Sequence, residues 1–167
     1  KTQVIMADRR PLIINSSAQQ IQEFTDSDNL VLSGQSLKFL SPLIEKVDID
    51  ATALTGTYTH NLITDGNLHY ATTAPTANYT YNLRGSASVA LNSMMDVGQS
   101  LSFALFVEGS TFYMANFQID GSTQTVEWQG GATPQTRTGA GTDNYALTII
   151  KTGNAAFKVF GALSNHA

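Results

Sequence analysis

Three histidines are available to ligate a metal or move a proton: His60, His69 and His166. His60 and His69 flank Asp65. In a three-fold assembly each would form a ring of imidazoles able to take a metal. No His-x-His or Glu-x-x-His spacing supports that chemistry. The preferred reading is a strand histidine, solvent-facing or hydrogen-bonded. Carboxylates stand at Asp26, Asp28, Asp48, Asp50 and Asp65. Calcium needs six or more converging oxygens and a tight glycine turn, and Asp26-Ser-Asp28-Asn29 is a fragment of that pattern. Asp48-Ile-Asp50 puts two carboxylates on one strand face, where solvation is the simpler reading. No metal ligand and no cofactor is assigned.

Glycoside hydrolysis needs two carboxylates about 5–10 Å apart in a cleft. Asp120, Glu127 and Asp143 are the candidates. Asp120 is held by an Asp-Gly turn, and Glu127 alternates with Val126 and Trp128 along a strand, so surface charge is the preferred reading. No G-x-S-x-G or G-x-x-x-x-G-K pattern occurs, and Gly139-Ala-Gly141 reads as a flexible loop, not a phosphate cradle. No catalytic residue is assigned, and the expectation is a non-enzymatic protein. Trp128, Phe112, Tyr113 and Tyr58 can stack on sugar rings. Trp128, the sole tryptophan, reads as core. Phe112 and Tyr113, just after Glu108-Gly-Ser110, are the candidate glycan contacts.

The elements that must position these residues are strands. Leu101, Phe103, Leu105 and Val107 alternate, which puts them on one face. Tyr145, Leu147 and Ile149 repeat the pattern, as do Phe157 and Val159. Thr152-Gly-Asn-Ala155 reads as the hairpin between the last two runs, with Gly-Asn supplying positive φ. Ala115–Ile119 and Thr125–Trp128 read as a second hairpin about Asp120-Gly121. Ser88 to Val97 reads as a short helix or helical turn capped by Gly98. Residues 78–167 therefore form a self-contained antiparallel β-sandwich or jelly-roll-like unit. Residues 41–77 read as a linker or neck of short strands that lacks a core of its own and intertwines with copies of itself. Residues 1–40 read as an extended arm, in which Pro11 forces an extended start to Leu12-Ile-Ile14. Met6-Ala-Asp-Arg has the look of a natural start, which would make residues 1–5 an upstream extension.

Composition narrows the function classes. Of the 167 residues 13% are charged and 42% hydrophobic, and the formal net charge is -4. An acidic chain argues against nucleic-acid binding, which normally needs a basic face. Cysteine is absent, so there is no disulfide framework. No apolar run approaches the ~20 residues of a membrane span. Polar but uncharged surfaces suit β-rich proteins of secreted or assembled structures.

Met6-Ala-Asp-Arg-Arg-Pro-Leu-Ile-Ile-Asn-Ser16, followed by Ile21-Gln-Glu-Phe24 and Asp28-Asn-Leu30, resembles the leader of many bacteriophage virion structural proteins. Tyr81-Asn-Leu-Arg-Gly85, Leu91-Asn-Ser-Met-Met95, Gly98-Gln-Ser100, Ile119-Asp-Gly121, Val126-Glu-Trp-Gln-Gly-Gly131, Tyr145, Ile149-Ile-Lys-Thr152 and Phe157-Lys-Val-Phe160 resemble a module of marine and cyanobacterial phage virion proteins. The resemblance is weakest over residues 43–75. It implies a structural protein on the virion exterior, a capsid decoration (cement) protein or short fibre, and it carries no catalytic residues. The expected partners are two further copies in a homotrimer and other virion proteins of capsid or tail. The arm residues Arg9, Arg10, Pro11, Leu12, Ile13 and Ile14 are the expected anchor, by strand addition to a partner sheet. The alternative is a tail-fibre or receptor-binding module for host surface glycans. Neither nucleic acid nor membrane is an expected partner.

Overall fold

The computed structural model describes Leu12–Asn15 and Gln20–Glu23 as backbone, and residues 43–109, 111–136 and 141–166 with side chains. It divides into two compact units, residues 1–43 and Ile44–Ala167. In the first, β1 (Leu12–Asn15) pairs antiparallel with β2 (Gln20–Glu23), from Leu12 opposite Glu23 to Asn15 opposite Gln20. Arg9, Arg10 and Pro11 lie outside the described residues, as do the side chains of Leu12, Ile13 and Ile14.

The second unit is a two-sheet β sandwich. The larger sheet contains β3 (Val47–Asp50), β5 (Leu68–Ala71), β7 (Ser100–Glu108), β10 (Val126–Trp128), β11 (Thr142–Gly153) and β12 (Ala156–His166), in the order β10-β12-β11-β7-β5-β3. The smaller contains β4 (Gly56–Asn61), β6 (Tyr79–Arg84), β8 (Met114–Ile119) and β9 (Ser122–Gln124), in the order β4-β6-β8-β9. A four-residue helix α1 (Leu62–Asp65) joins β4 to β5, and α2 (Leu91–Met94) lies between β6 and β7.

The sheets are mixed, where the sequence pattern predicts antiparallel pairing. β7, β11 and β12 do pair antiparallel. From β4 to β8, however, the chain alternates between the sheets. It runs out in one and back in the other, so neighbours within a sheet run the same way: β4 with β6, β6 with β8, and β5 with β7. Parallel neighbours need a crossover connection, and here the crossover is a strand of the facing sheet. Residues 47–71 thus supply three sheet strands. They are part of the sandwich, and the boundary expected at residue 78 falls inside it.

The core is the pair of inner faces. Tyr79, Tyr81 and Leu83 of β6 and Met114, Phe117 and Ile119 of β8 meet Phe103, Leu105 and Val107 of β7 and Tyr145, Leu147 and Ile149 of β11, all buried. These are the positions that period-two alternation picks out. Asp120 and Gly121 make the two-residue β8–β9 turn with φ of 52° and 81°, positive at both positions as a type I′ turn requires. The strand after it differs from expectation. β9 ends at Gln124, and β10 leaves for the larger sheet, where it runs parallel to β12. The β11–β12 hairpin forms, but its left-handed residue is Ala155 at φ 51°. A register shift between Lys151 and Gly153 absorbs the geometry. Helix α2 ends at Met94, short of Gly98. Lys151 holds that segment: its buried ammonium donates to Asn92 O at 2.5 Å and Met95 O at 2.6 Å.

Candidate functional site

His60 and His69 are fully buried within one unit. They are therefore not available for the imidazole rings that a three-fold axis could gather between copies, because both side chains point into the sandwich. His60 alternates with Tyr58 on the inner face of β4, and His69 stands on the inner face of β5. Their rings stack at 5.3 Å, and Tyr58 stacks on His69 at 5.0 Å. Phe103 and Tyr81 pack against His60 at 5.1 Å and 6.1 Å. His69 Nδ1 and the Tyr81 hydroxyl share a 2.7 Å hydrogen bond. Burial, and then the neighbouring His60, push the His69 pKa down from 6.5 to about 4. A charged His69 ring in this stack would lose its hydration with little to replace it.

Three carboxylates approach the stack from the rim. β3 is an edge strand whose aspartates point inward while Val47 and Ile49 point out, 42% and 69% exposed. Asp48 and Asp50 share one face as expected, but that face is the inner one and both are half-buried. Asp50 accepts from the Thr52 amide at 2.7 Å and from the Tyr58 hydroxyl at 3.0 Å. Burial alone would raise its pKa, but these donors outweigh it and hold the pKa below 3.8. Asp48 Oδ2 lies 3.7 Å from His60 Nδ1. Asp65 reaches the same place from α1. Its Oδ2 accepts from the Asn61 amide at 3.0 Å and its Oδ1 from the Thr64 hydroxyl at 2.7 Å. Burial again opposes, and these bonds again hold its pKa below 3.8. The signal in the sequence was the inverted polarity of Val47-Asp-Ile-Asp50 beside Tyr58-x-His60. Alternation says which residues share a face, but not which face is buried.

The second notable surface is the outer face of the larger sheet. Cross-strand register lines up Val47, Leu68, Ala104, Ala146 and Ala162 in one row, and Ile49, Tyr70 and Phe106 in the next, continued by Asn144 and Ser164. The formal charges near these rows include Glu45 beside Leu68, Glu108, which accepts from the Tyr70 hydroxyl, and the Glu127–Lys158 pair beside exposed Phe160. The outer face of the smaller sheet is different in kind. Its rows are Thr57, Thr80 and Asn116, then Thr59, Asn82, Gln118 and Thr123. Uncharged polar residues line one outer face of the sandwich, while on the other the aliphatic and aromatic rows lie beside Ser102, Thr148, Asn144 and Ser164. Ala104, Phe106 and Ala146 sit at the off-phase positions of β7 and β11, so this second apolar face was readable as a departure from strict alternation.

The three carboxylates weighed for glycoside hydrolysis do not converge. Glu127 is in register with Phe160 on the outer face, and Asp143 with Val107 on the inner face. Asp143 is buried and accepts from Asn165 Nδ2 at 3.1 Å. Asp120 receives the Leu91 amide at 2.7 Å and the Asn92 amide at 2.9 Å, capping α2 from a distant turn. Trp128 packs edge-on to Tyr145 at 6.2 Å and joins the core margin. Phe112 and Tyr113 are both half-buried. Tyr113 lines a surface groove with Asn116, Phe117, Gln124, Trp128 and Pro134. Among the described residues no helix is long and apolar enough to cross a membrane.

No family model, curated protein or solved structure matches this chain.

Proposed function

We propose that this chain is a non-enzymatic structural protein of a phage virion exterior, a capsid decoration protein or short fibre, that assembles with copies of itself. The observation that carries the reading is the apolar outer face of the larger sheet. A contiguous apolar patch on a soluble protein marks a surface that is covered in the working state, and the polar face opposite shows how the same sequence treats a surface left to water. In the sequence, residues 41–77 are the self-associating element because they show no core of their own. Their strands find a core inside the sandwich, so the ground for self-association moves to the outer face. A homotrimer is the assembly proposed, with the N-terminal arm attaching it to capsid or tail. The arm's β1–β2 ladder has two strands, and an isolated two-stranded hairpin is marginal in water. Docking on a partner sheet would complete its pairing.

The test removes residues 1–32. The sandwich unit should stay folded by circular dichroism and thermal melt, while incorporation into particles is lost. Decoration at wild-type occupancy by the truncated protein contradicts the anchoring role. A cryo-EM map of particles carrying the intact chain would show its place and copy number.

A further inference from the structure

We infer that Asp48, His60 and Asp65 form a site for a first-row divalent cation, Zn2+ by ligand type, which clips the two sheets together at one end of the sandwich. The inference is independent of the virion reading. One ligand atom from each residue lies within 4.8 Å of the others. Acidic groups gathered at a rim would not by themselves carry a site. The decisive group is His60, fully buried, with Nδ1 hydrogen-bonded to none of the described residues.

The tautomer follows from its other nitrogen. Nε2 lies 2.8 Å from Gly66 O. A carbonyl oxygen only accepts, so Nε2 carries the proton. In the neutral ring Nδ1 then presents a lone pair toward Asp48 Oδ2 at 3.7 Å. A lone pair and a carboxylate oxygen facing each other at a buried position repel unless something positive lies between. Metal-ligating histidines are held in this way, with the distal N–H on a backbone carbonyl and the free nitrogen on the ion. A cation about 2.0–2.2 Å from both atoms would subtend an angle of about 115–135° across that 3.7 Å gap, compatible with a distorted tetrahedral site.

The local fold supports the same geometry. Gly66, at φ 86°, closes α1 with its amide on Leu62 O at 3.0 Å, and a Cβ there would meet Lys46 O at 3.0 Å. That turn brings the Gly66 carbonyl onto His60 and carries Asp65 back over the strand it follows. The Asn61 amide and the Thr64 hydroxyl orient the Asp65 carboxylate, leaving each oxygen a further lone pair. Asp48 is 27% exposed, which gives solvent a route to a remaining coordination position. One nitrogen and two carboxylates suit Zn2+ better than Ca2+, which takes six to eight oxygens. Lys46, whose ammonium is held by Thr64 O, adds positive charge near Asp65 and sets a limit on affinity.

The placement gives the site a purpose. β3 and β4 each end the strand order of their sheet. Asp48 on β3 and His60 on β4 therefore bridge the sandwich at its open end, in a chain without a cysteine to do so.

The experiment uses the full chain, stripped with EDTA and titrated with ZnCl2 by calorimetry, with CoCl2 absorption as a second readout. The expected result is one Zn2+ per chain, a higher melting temperature on loading, and a visible Co2+ band of the intensity given by four-coordinate sites. Asp48→Asn should weaken Zn2+ at least about tenfold, since even residues that only support a ligand have effects of 10–100-fold. His60→Gln should do the same, and His166→Ala should not. If His60→Gln fails to fold, Asp48→Asn decides, because among the described residues the Asp48 side chain makes no polar contact beyond the one to His60. Absence of binding to the wild-type chain, wild-type affinity in Asp48→Asn, or binding that disappears in His166→Ala would each overturn the inference.

Discussion

Gly161 is the position where one added methyl group tests the packing most sharply. It lies on β12 opposite Trp128 of β10 and Leu147 of β11. A Cβ on Gly161 would stand 2.7 Å from Trp128 Cε3 and Cζ3 and 2.7 Å from Val126 Cγ1. Those are not the ends of flexible chains. The indole is wedged against Tyr145, and Val126 packs on the core. Overpacking of this kind typically costs about 1–3 kcal/mol, and Gly161→Ala is expected to lose that much. The simplest relief is for β10 to part from β12, since its ladder with β12 is only three residues long. Trp128 is the sole tryptophan, so its fluorescence reports the displacement directly. In urea unfolding, the variant should show a red-shifted native emission and a lower midpoint with unchanged slope. In a Trp128→Leu background, followed by circular dichroism, the cost of Gly161→Ala should shrink by more than about 0.5 kcal/mol, the coupling expected of residues in contact. A cost below about 0.5 kcal/mol in the wild-type background, the range of an ordinary surface change, would refute the reasoning. So would an identical cost in both backgrounds.

Asp120→Ala removes both acceptors that cap α2 and should cost about 0.5–2 kcal/mol by denaturant unfolding, with the largest loss of amide exchange protection at Leu91 and Asn92. Lys151→Met leaves the Asn92 and Met95 carbonyls without their donor, and about 1–3 kcal/mol of stability should go with it, read from the same unfolding curves. His69 gives the chelated protein a pH dependence of definite sign. It stays neutral in the fold down to about 4 but titrates at its ordinary 6.5 when unfolded. Stability is therefore full above 6.5, falls as the pH drops from 6.5 towards 4, and levels off below. The gap corresponds to up to about 3 kcal/mol at 1.36 kcal/mol per pKa unit. Unfolding midpoints at several pH values should show that slope, and His69→Gln should flatten it.

The strands of the second half were legible because their cores alternate cleanly. Leu101 to Val107, Tyr145 to Ile149 and the Asp120-Gly121 turn follow local rules that tertiary context had no reason to override. Residues 47–71 were harder for a physical reason. Their strands are four to six residues long, and each pairs parallel with a strand far along the chain, so nothing local announces the partner. Period two says that Asp48 and Asp50 share a face. It does not say that the face is the inner one. His60 and His69 had no ligand spacing in sequence because their neighbours arrive from β3, α1, β6 and β7. The apolar outer face was visible only as Ala104, Phe106 and Ala146 at positions where a half-exposed strand would carry polar residues.

The account turns on whether the apolar outer face is covered by further copies of the chain. Ala146 stands in its middle, exposed on β11 between Ala104 and Ala162. Light scattering after size exclusion, on the full chain at micromolar concentration, measures the point directly. The wild type should run with the mass of a trimer, and Ala146→Glu should run as a monomer with unchanged β content. A wild-type monomer, or an Ala146→Glu trimer, would contradict the claim.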